Sequence, residues 1–309
     1  MAITDDFQIL PGVSSALRTH EPIVALESTV ITHGLPEGQN LVLARELEEI
    51  INAEKVVPAT IALIDGKINV GLSDSDLETL VKTKDPLKIS RRNIGLAVAM
   101  GKTGGTTVAG TMFIANQCGI KVFSTGGIGG VHRDSPFDIS ADLLELSHTP
   151  MIVVCSGAKA ILDLPATREY LETMSVPLIG YQTDELPGFY SERTGLPVDA
   201  TIQSPSEIVN LARKHWQLGM TSAILVVVPP PDKYAIPSKD IEIYIREAQK
   251  DASKQRISGS ALTPFLLRRI SELSNGKSLR INLELLKNNA RIASKIASCF
   301  HPRIKEKIV

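Results

Sequence analysis

Aromatic side chains are scarce in this sequence: they make up 4% of 309 residues, with a single tryptophan. So few flat faces count against a platform on which successive bases of a single strand would stack. An excess of either charge is missing too. The 33 basic side chains nearly balance 34 acidic ones, for a formal net charge of −1. That argues against a bulk electrostatic grip on a nucleic-acid polymer or an anionic membrane, while leaving room for a local basic pocket. The three cysteines, Cys118, Cys155 and Cys299, lie far apart, form no C-x-x-C pair and cannot pair completely. This pattern suits a reducing compartment. Long hydrophobic runs are absent: the richest, Ala223 to Val228 before Pro229-Pro230-Pro231, is far below the roughly 20 residues that cross a bilayer. The opening, Met1-Ala2-Ile3-Thr4-Asp5-Asp6, is acidic and lacks a cationic stretch followed by an apolar one, and the end, Lys305 to Val309, does not spell S-K-L. A cytoplasmic location is expected, with neither a membrane nor a nucleic-acid polymer as partner.

What the sequence does contain is alternation. Short β-branched runs recur at Ile23–Leu26, Thr60–Ile64, Val122–Phe123, Ile152–Cys155, Pro177–Ile179 and Ala223–Val228. Helical patterns lie between them. Ser75-Asp76-Leu77-Glu78 and Ser204-Pro205-Ser206-Glu207 have capping-box spacing, the second with proline where its missing N–H does no harm. Thr263-Pro264 opens another helix that stops near Asn275-Gly276, and a last one runs from about Leu279 through Leu283, Leu286, Ala290, Ile292 and Ile296. Strand–helix alternation at this frequency predicts an α/β sandwich with a largely buried sheet. With no repeat, low-complexity stretch or long linker, residues 1–309 are expected to form one domain.

Glycine is unevenly placed. Nine of the 22 glycines fall between Gly101 and Gly130, seven of them in Gly101-Lys102-Thr103-Gly104-Gly105-Thr106-Thr107 and in Ser124 to Arg133. Glycine lets backbone N–H groups approach a ligand, threonines such as Thr106 and Thr107 add hydroxyls, and a following helix terminus favours an anion. Neither stretch fits the P-loop or the full dinucleotide spacing, so a nucleoside triphosphate or NAD site is not supported. Two clusters bracketing one strand, the second ending in His132-Arg133, suggest a small phosphorylated ligand; tight turns are the plain alternative.

Two ionisable groups sit just past strands: Glu27 after Ile23–Leu26, and Lys159 after Ile152–Cys155 across Ser156-Gly157-Ala158. In open α/β sheets ligands bind beyond the carboxyl ends of the strands. A lysine there, desolvated or beside another cation, can attack a carbonyl as the free amine. A surface lysine and a capping glutamate are the ordinary alternative. In Phe137-Asp138-Ile139-Ser140-Ala141-Asp142, helix spacing would set Asp138 and Asp142 on one face. Those hard oxygen donors would suit Mg²⁺ or Mn²⁺ and not a structural zinc site, although an acidic first helical turn is the plainer explanation of the pair alone. Trp216 reads as a packing residue.

Taken together, these segments resemble one family. Ala25 to Gly34, Pro58 to Ala62, Ser90-Arg91-Arg92, Thr125 to Arg133, Asp138 to Asp142 and Gly157-Ala158-Lys159 are similar to motifs of pseudouridine-5'-phosphate glycosidases, the indigoidine-synthase-A-like family. So are Tyr170 to Thr173, Pro177 to Tyr181, Thr263 to Leu267 and Asn288-Asn289-Ala290, and the resemblance runs in order from about Ile9 to Ser298. No kinase-sized extension follows, which implies the stand-alone form. The resemblance implies reversible cleavage of the C–C glycosidic bond of pseudouridine 5'-phosphate to uracil and ribose 5-phosphate. It implies Lys159 as nucleophile, Glu27 as proton donor, and Lys88, Val108 and Ser140, Ala141 and Asp142 as substrate-binding positions. It further implies Asp138 as the Mn²⁺ aspartate, His132 and Asn282 as polar residues of the pocket, a three-layer α/β/α sandwich around a largely buried mixed sheet, and a homotrimer.

An ordinary glycosidase protonates a leaving oxygen or nitrogen, whereas uracil here is attached through carbon, so a covalent lysine–C1' iminium route is expected. Lys88 would lie near the amine of Lys159, and the glycine–threonine loops, His132 and Arg133 near the phosphate. Three departures from the family pattern stand out: a shortened Asp134-Ser135-Pro136 segment before the metal position, and Gly105 and Ser156 in place of alanine. Two other classes fit the residues. One is a Schiff-base-forming lyase or aldolase acting on another sugar phosphate, and the other is a non-catalytic sugar-phosphate-binding protein.

Overall fold

The computed structural model describes residues 4–36, 38–133, 135–257 and 262–300. Its centre is a run of strands so apolar that both faces must be covered. Ile23–Leu26, Ile152–Cys155 and Ile224–Val227 are buried at every position, the pattern of parallel strands roofed by helices on either side. Among the described residues eleven strands share this sheet. Its central order is Lys67–Val70, Val57–Ile64, Ile23–Leu26, Val122–Ser124, Ile152–Cys155, Ile224–Val227, Leu178–Tyr181 and Ala200–Ile202. From Val57–Ile64 onward this path is parallel, with Ala25 opposite Phe123 and Val154 opposite both Ser124 and Val226. Lys67–Val70 and Gly104–Thr106 pair antiparallel to Val57–Ile64, which makes the sheet mixed. Leu87–Ile89 extends it beside Gly104–Thr106.

Helices flank the sheet as the expected sandwich. The last helix, Lys277–Phe300, packs on the three central strands, with Gln39–Ala53 and Pro205–Gln217 beside it, while Val108–Gln117 and Ala141–His148 pack together. The crossover through Gln39–Ala53 carries the chain from Ile23–Leu26 to one side, whereas Val122–Ser124 and Ile152–Cys155 continue to the other. Strand order therefore reverses between Ile23–Leu26 and Val122–Ser124, which opens a crevice at their carboxyl ends. Two expectations about local structure shift. The helix expected from Ser75 begins at Asp74: Ser73 is its cap and Asp76 closes the box. Gly104–Thr106 is a strand and not a loop. Ser204 does cap its helix, accepting from the Glu207 N–H, and the indole of Trp216 donates to the Ser222 carbonyl while its ring packs edge-on against Phe300. No helix among the described residues is long and apolar enough to cross a membrane.

Candidate active site

Three consecutive strands deliver three side chains to the crevice. Glu27 directly follows Leu26, Thr125 directly follows Ser124, and Lys159 stands four residues past Cys155. The two later loops stay zipped beyond the regular strands: Thr125 N–H donates to the Val154 carbonyl, Ser156 to Gly126, Ile128 to Gly157 and Lys159 to Ile128, at 2.9 to 3.1 Å. Past Glu27 the chain winds into a wide π-type turn, Val30–Gly34, that turns Thr29, Val30, His33 and Gly34 toward a cavity. Lys88 comes from Leu87–Ile89, opposite Gly105.

The glycine clusters explain how these pieces come so close. A Cβ on Gly104 would lie 2.0 Å from the Leu87 carbonyl oxygen, and one on Gly105 2.4 Å from Thr32 Oγ1 and 2.7 Å from the Ser28 carbonyl oxygen. The first cluster thus serves to press the strand beside Lys88 against the turn beside Glu27. Thr106 stays out of the cavity: its hydroxyl, fully buried, donates to the Ile61 carbonyl at 2.7 Å and meets Thr111 Oγ1 at 2.8 Å, while its N–H donates to Ser28 Oγ. Its place as a substrate-binding residue is therefore corrected to a structural tie behind the residue that follows Glu27.

Glu27, Thr29, Lys88, Lys159 and Thr263 line two adjoining chambers. One is polar, about 370 Å³, and holds Arg92, Thr107, Val108, His132, Asp138, Ser140, Ala141 and Asp142 in its wall. The other is walled by Phe189, Leu267, Leu286, Gly126 and Gly127, with Asn282 and His33 as polar members. Thr107 caps the helix that starts at Val108, and Ser140 caps the helix that starts at Ala141. Asp138 and Asp142 do not share a helix face: Asp138 lies on the strand Ser135–Ile139 and only Asp142 is helical, because Ser140 starts the helix between them. The two oxygens of Asp142 are taken by the N–H groups of Ala109 at 2.9 Å and Gly129 at 2.8 Å. Its carboxylate therefore clamps the wall. Arg133 is also withdrawn from the pocket. It grips both oxygens of Glu242 and the carbonyls of Leu162 and Ala160. Asp134 lies outside the described residues.

Burial sets the charge states. The carboxyl of Glu27 is pushed above the usual range because desolvation outweighs Lys159, the Thr125 hydroxyl that donates to Oε1, and Lys88. The amine of Lys88 is lowered, first by burial and then by Lys159, with Asp142 and Glu27 opposing. His33 is lowered by burial and by Lys88. A carboxyl with a raised pKa and an amine on a neighbouring loop suit proton transfer and nucleophilic attack on a bound carbon centre. For a metal, no three His, Cys, Asp or Glu side chains gather among the described residues. Asp138, exposed at the rim of the polar chamber, fits a hard cation that keeps most of its water.

Sequence reasoning passed over Thr125, Phe189, Thr29 and Asn289 as individual residues. Phe189 had one signal in principle, the Pro187-Gly188 turn before it, and it sits at φ 67°, an unusual conformation for a bulky residue, with its ring against Gly127.

Comparison with known proteins agrees with this architecture. The pseudouridine-5'-phosphate glycosidase of Caldanaerobacter subterraneus subsp. tengcongensis is 51% identical over 296 residues, covering 95% of this chain and 96% of that protein. The protein of the same name from Petrotoga mobilis is 48% identical over 97% of this chain and 99% of its own length. Among solved structures, an indigoidine synthase A-like protein from Thermotoga maritima superimposes with a TM-score of 0.88 at 34% identity, covering 96% of this chain and 98% of that one. The prealnumycin C-glycosynthase AlnA in complex with ribulose 5-phosphate gives 0.89 at 37% identity, covering 97% and 98%. Residues 12–299 match the family described as indigoidine synthase A-like protein, and the chain belongs to that family.

Proposed function

We propose that the protein is a pseudouridine-5'-phosphate glycosidase, cleaving the C1'–C5 bond to give uracil and ribose 5-phosphate. The observation that carries this reading is the meeting of Glu27, Lys88 and Lys159 at the junction of a polar and a largely apolar chamber. A phosphorylated sugar suits the first, with Lys88, Arg92, Thr107, Val108, His132, Ser140 and Ala141 around it, and a neutral base suits the second, beside Phe189 and Asn282. The structure of AlnA in complex with ribulose 5-phosphate, a pentose phosphate, supports a sugar phosphate as the ligand. In the reaction, Glu27 gives its proton to O4' as the C1'–O4' bond opens. The amine of Lys159 bonds to C1' and passes a proton to the carboxylate left on Glu27. The nitrogen lone pair then forms an iminium as the C1'–C5 bond breaks, C5 keeps the bonding pair and takes up a proton, and water hydrolyses the iminium to ribose 5-phosphate and the free amine. Asp138 would hold a hydrated Mn²⁺ that supplies positive charge near the substrate's anionic end. A cytoplasmic homotrimer belongs to the same reading, which light scattering of the native protein tests.

The test follows uracil release from pseudouridine 5'-phosphate, after chelation and again after Mn²⁺ readdition, together with borohydride reduction in the presence of ribose 5-phosphate. Uracil is expected, with a pentose-phosphate adduct on Lys159; Lys159→Ala is expected to lose the adduct and about 10³-fold or more of the rate. Full activity of that variant overturns the covalent route, and release of no uracil overturns the substrate. Activity indifferent to chelation removes the metal.

A further inference from the structure

The Asn288-Asn289-Ala290 motif has no part in the scheme above, and Asn289 lines neither chamber. It is fully buried on the last helix, beneath the loops that follow two neighbouring strands. Its Nδ2 donates to the Thr125 carbonyl at 2.9 Å and to Ser156 Oγ at 3.1 Å, and the Ser156 hydroxyl lies 3.3 Å from its Oδ1. Both N–H bonds of the carboxamide are thereby engaged. On one side, Thr125 turns its hydroxyl to Glu27. On the other, Ser156 opens the four-residue segment that ends at Lys159, itself tied by its N–H to Ile128. One side chain thus touches the segment behind each reacting group, a backbone carbonyl on one side and a hydroxyl on the other.

Taking Glu27 and Lys159 in their proposed roles, we propose that Asn289 is a positioning residue: it fixes the two groups relative to each other, through Thr125 and Ser156, without touching the substrate. Only a side chain with two donors directed at a carbonyl and a hydroxyl meets this geometry. Leucine fills a similar volume and offers none, and aspartate is isosteric but sets an anion against the Thr125 carbonyl. Reactions that depend on near-attack geometry respond steeply to displacement of about 1 Å, so the effect belongs in turnover more than in binding.

The experiment compares wild type, Asn289→Leu, Thr125→Val and the double variant in uracil release from pseudouridine 5'-phosphate across pH. Asn289→Leu is expected to lower kcat on the order of 10²-fold with KM nearly unchanged. The pH limb that reports Glu27 is expected to move upward, since a carboxylate that loses its hydroxyl donor is less stabilised as the anion. In the Thr125→Val background the same substitution is expected to move the limb no further. Should Asn289→Leu not accumulate folded, Asn289→Asp serves the same cycle. An unshifted pH profile, or rate losses that simply add in the double variant, overturns the inference. A wild-type protein that releases no uracil overturns instead the glycosidase reading on which it rests.

Discussion

At the scale of the residue, Glu27 illustrates how a fold gives up stability to hold a useful proton. Its pKa is raised by burial in spite of Lys159, Thr125 and Lys88, so the folded state holds the proton at pH values where the unfolded chain has released it. Below the ordinary carboxylate range both states are protonated and nothing is lost. As pH rises the unfolded state ionises first, and folding stability falls until the folded-state pKa is passed. Glu27→Gln keeps the acceptor for Thr125 and removes the ionisation. It is therefore expected to melt above the wild type at pH 8 and to converge with it near pH 4, while losing about 10²- to 10⁴-fold in rate. A melting difference that stays constant across pH would show that burial of the charge is not the cause. Glu27 and Lys159 were legible as candidates because each follows an apolar run whose end marks a strand's carboxyl edge, and the family resemblance singled them out. Thr125 and Asn289 were not, because Thr125 meets Glu27 across 98 residues and Asn289 meets Thr125 across 164.

At the scale of the element, the glycine clusters were legible as unusual, and the structure adds a second purpose for them. Chain-local reasoning sees a flexible backbone; the structure uses the missing side chains for close approach. A Cβ on Gly127 would lie 2.6 and 2.7 Å from carbons of the Phe189 ring and 2.9 Å from the Gly157 carbonyl oxygen. Gly157 has φ +86° and a Cβ there would meet the Pro187 oxygen at 2.4 Å. Gly127→Ala and Gly157→Ala are each expected to destabilise by about 1–3 kcal/mol and to lower activity, read from thermal melts and uracil release. The alanine variant of Gly119, which has open space around it, serves to calibrate the strain of a positive φ alone. If Gly127→Ala melts like the wild type, close packing at Phe189 is not what fixes this loop. The Asp138–Asp142 pair failed for a related reason. Spacing of four implies one helix face only if the helix already runs through both, and the Ser140 cap begins it between them. Strand positions held up better, because a run buried on both faces has few other ways to fold.

At the scale of the whole molecule, near-neutral charge now bears on substrate size. The cations of the polar chamber are few: Lys88, Lys159 and Arg92. Arg133, just beyond, is bound to Glu242. With a net charge of −1 there is no surplus to draw in a polyanion, and non-specific binding to nucleic acid depends on such a surplus. The chamber, about 370 Å³, suits one sugar phosphate and leaves little space for the flanking nucleotides of a strand. Pseudouridine inside a short RNA is therefore expected to resist cleavage, whereas the same RNA digested to 5'-monophosphates yields uracil. The digested sample controls for inhibition, and binding of the intact RNA should be weak at physiological salt. Comparable rates on the intact strand and on the free nucleotide would mean that the crevice opens far enough to admit a polymer, and that the scarcity of aromatics and of net charge does not restrict this protein to small substrates.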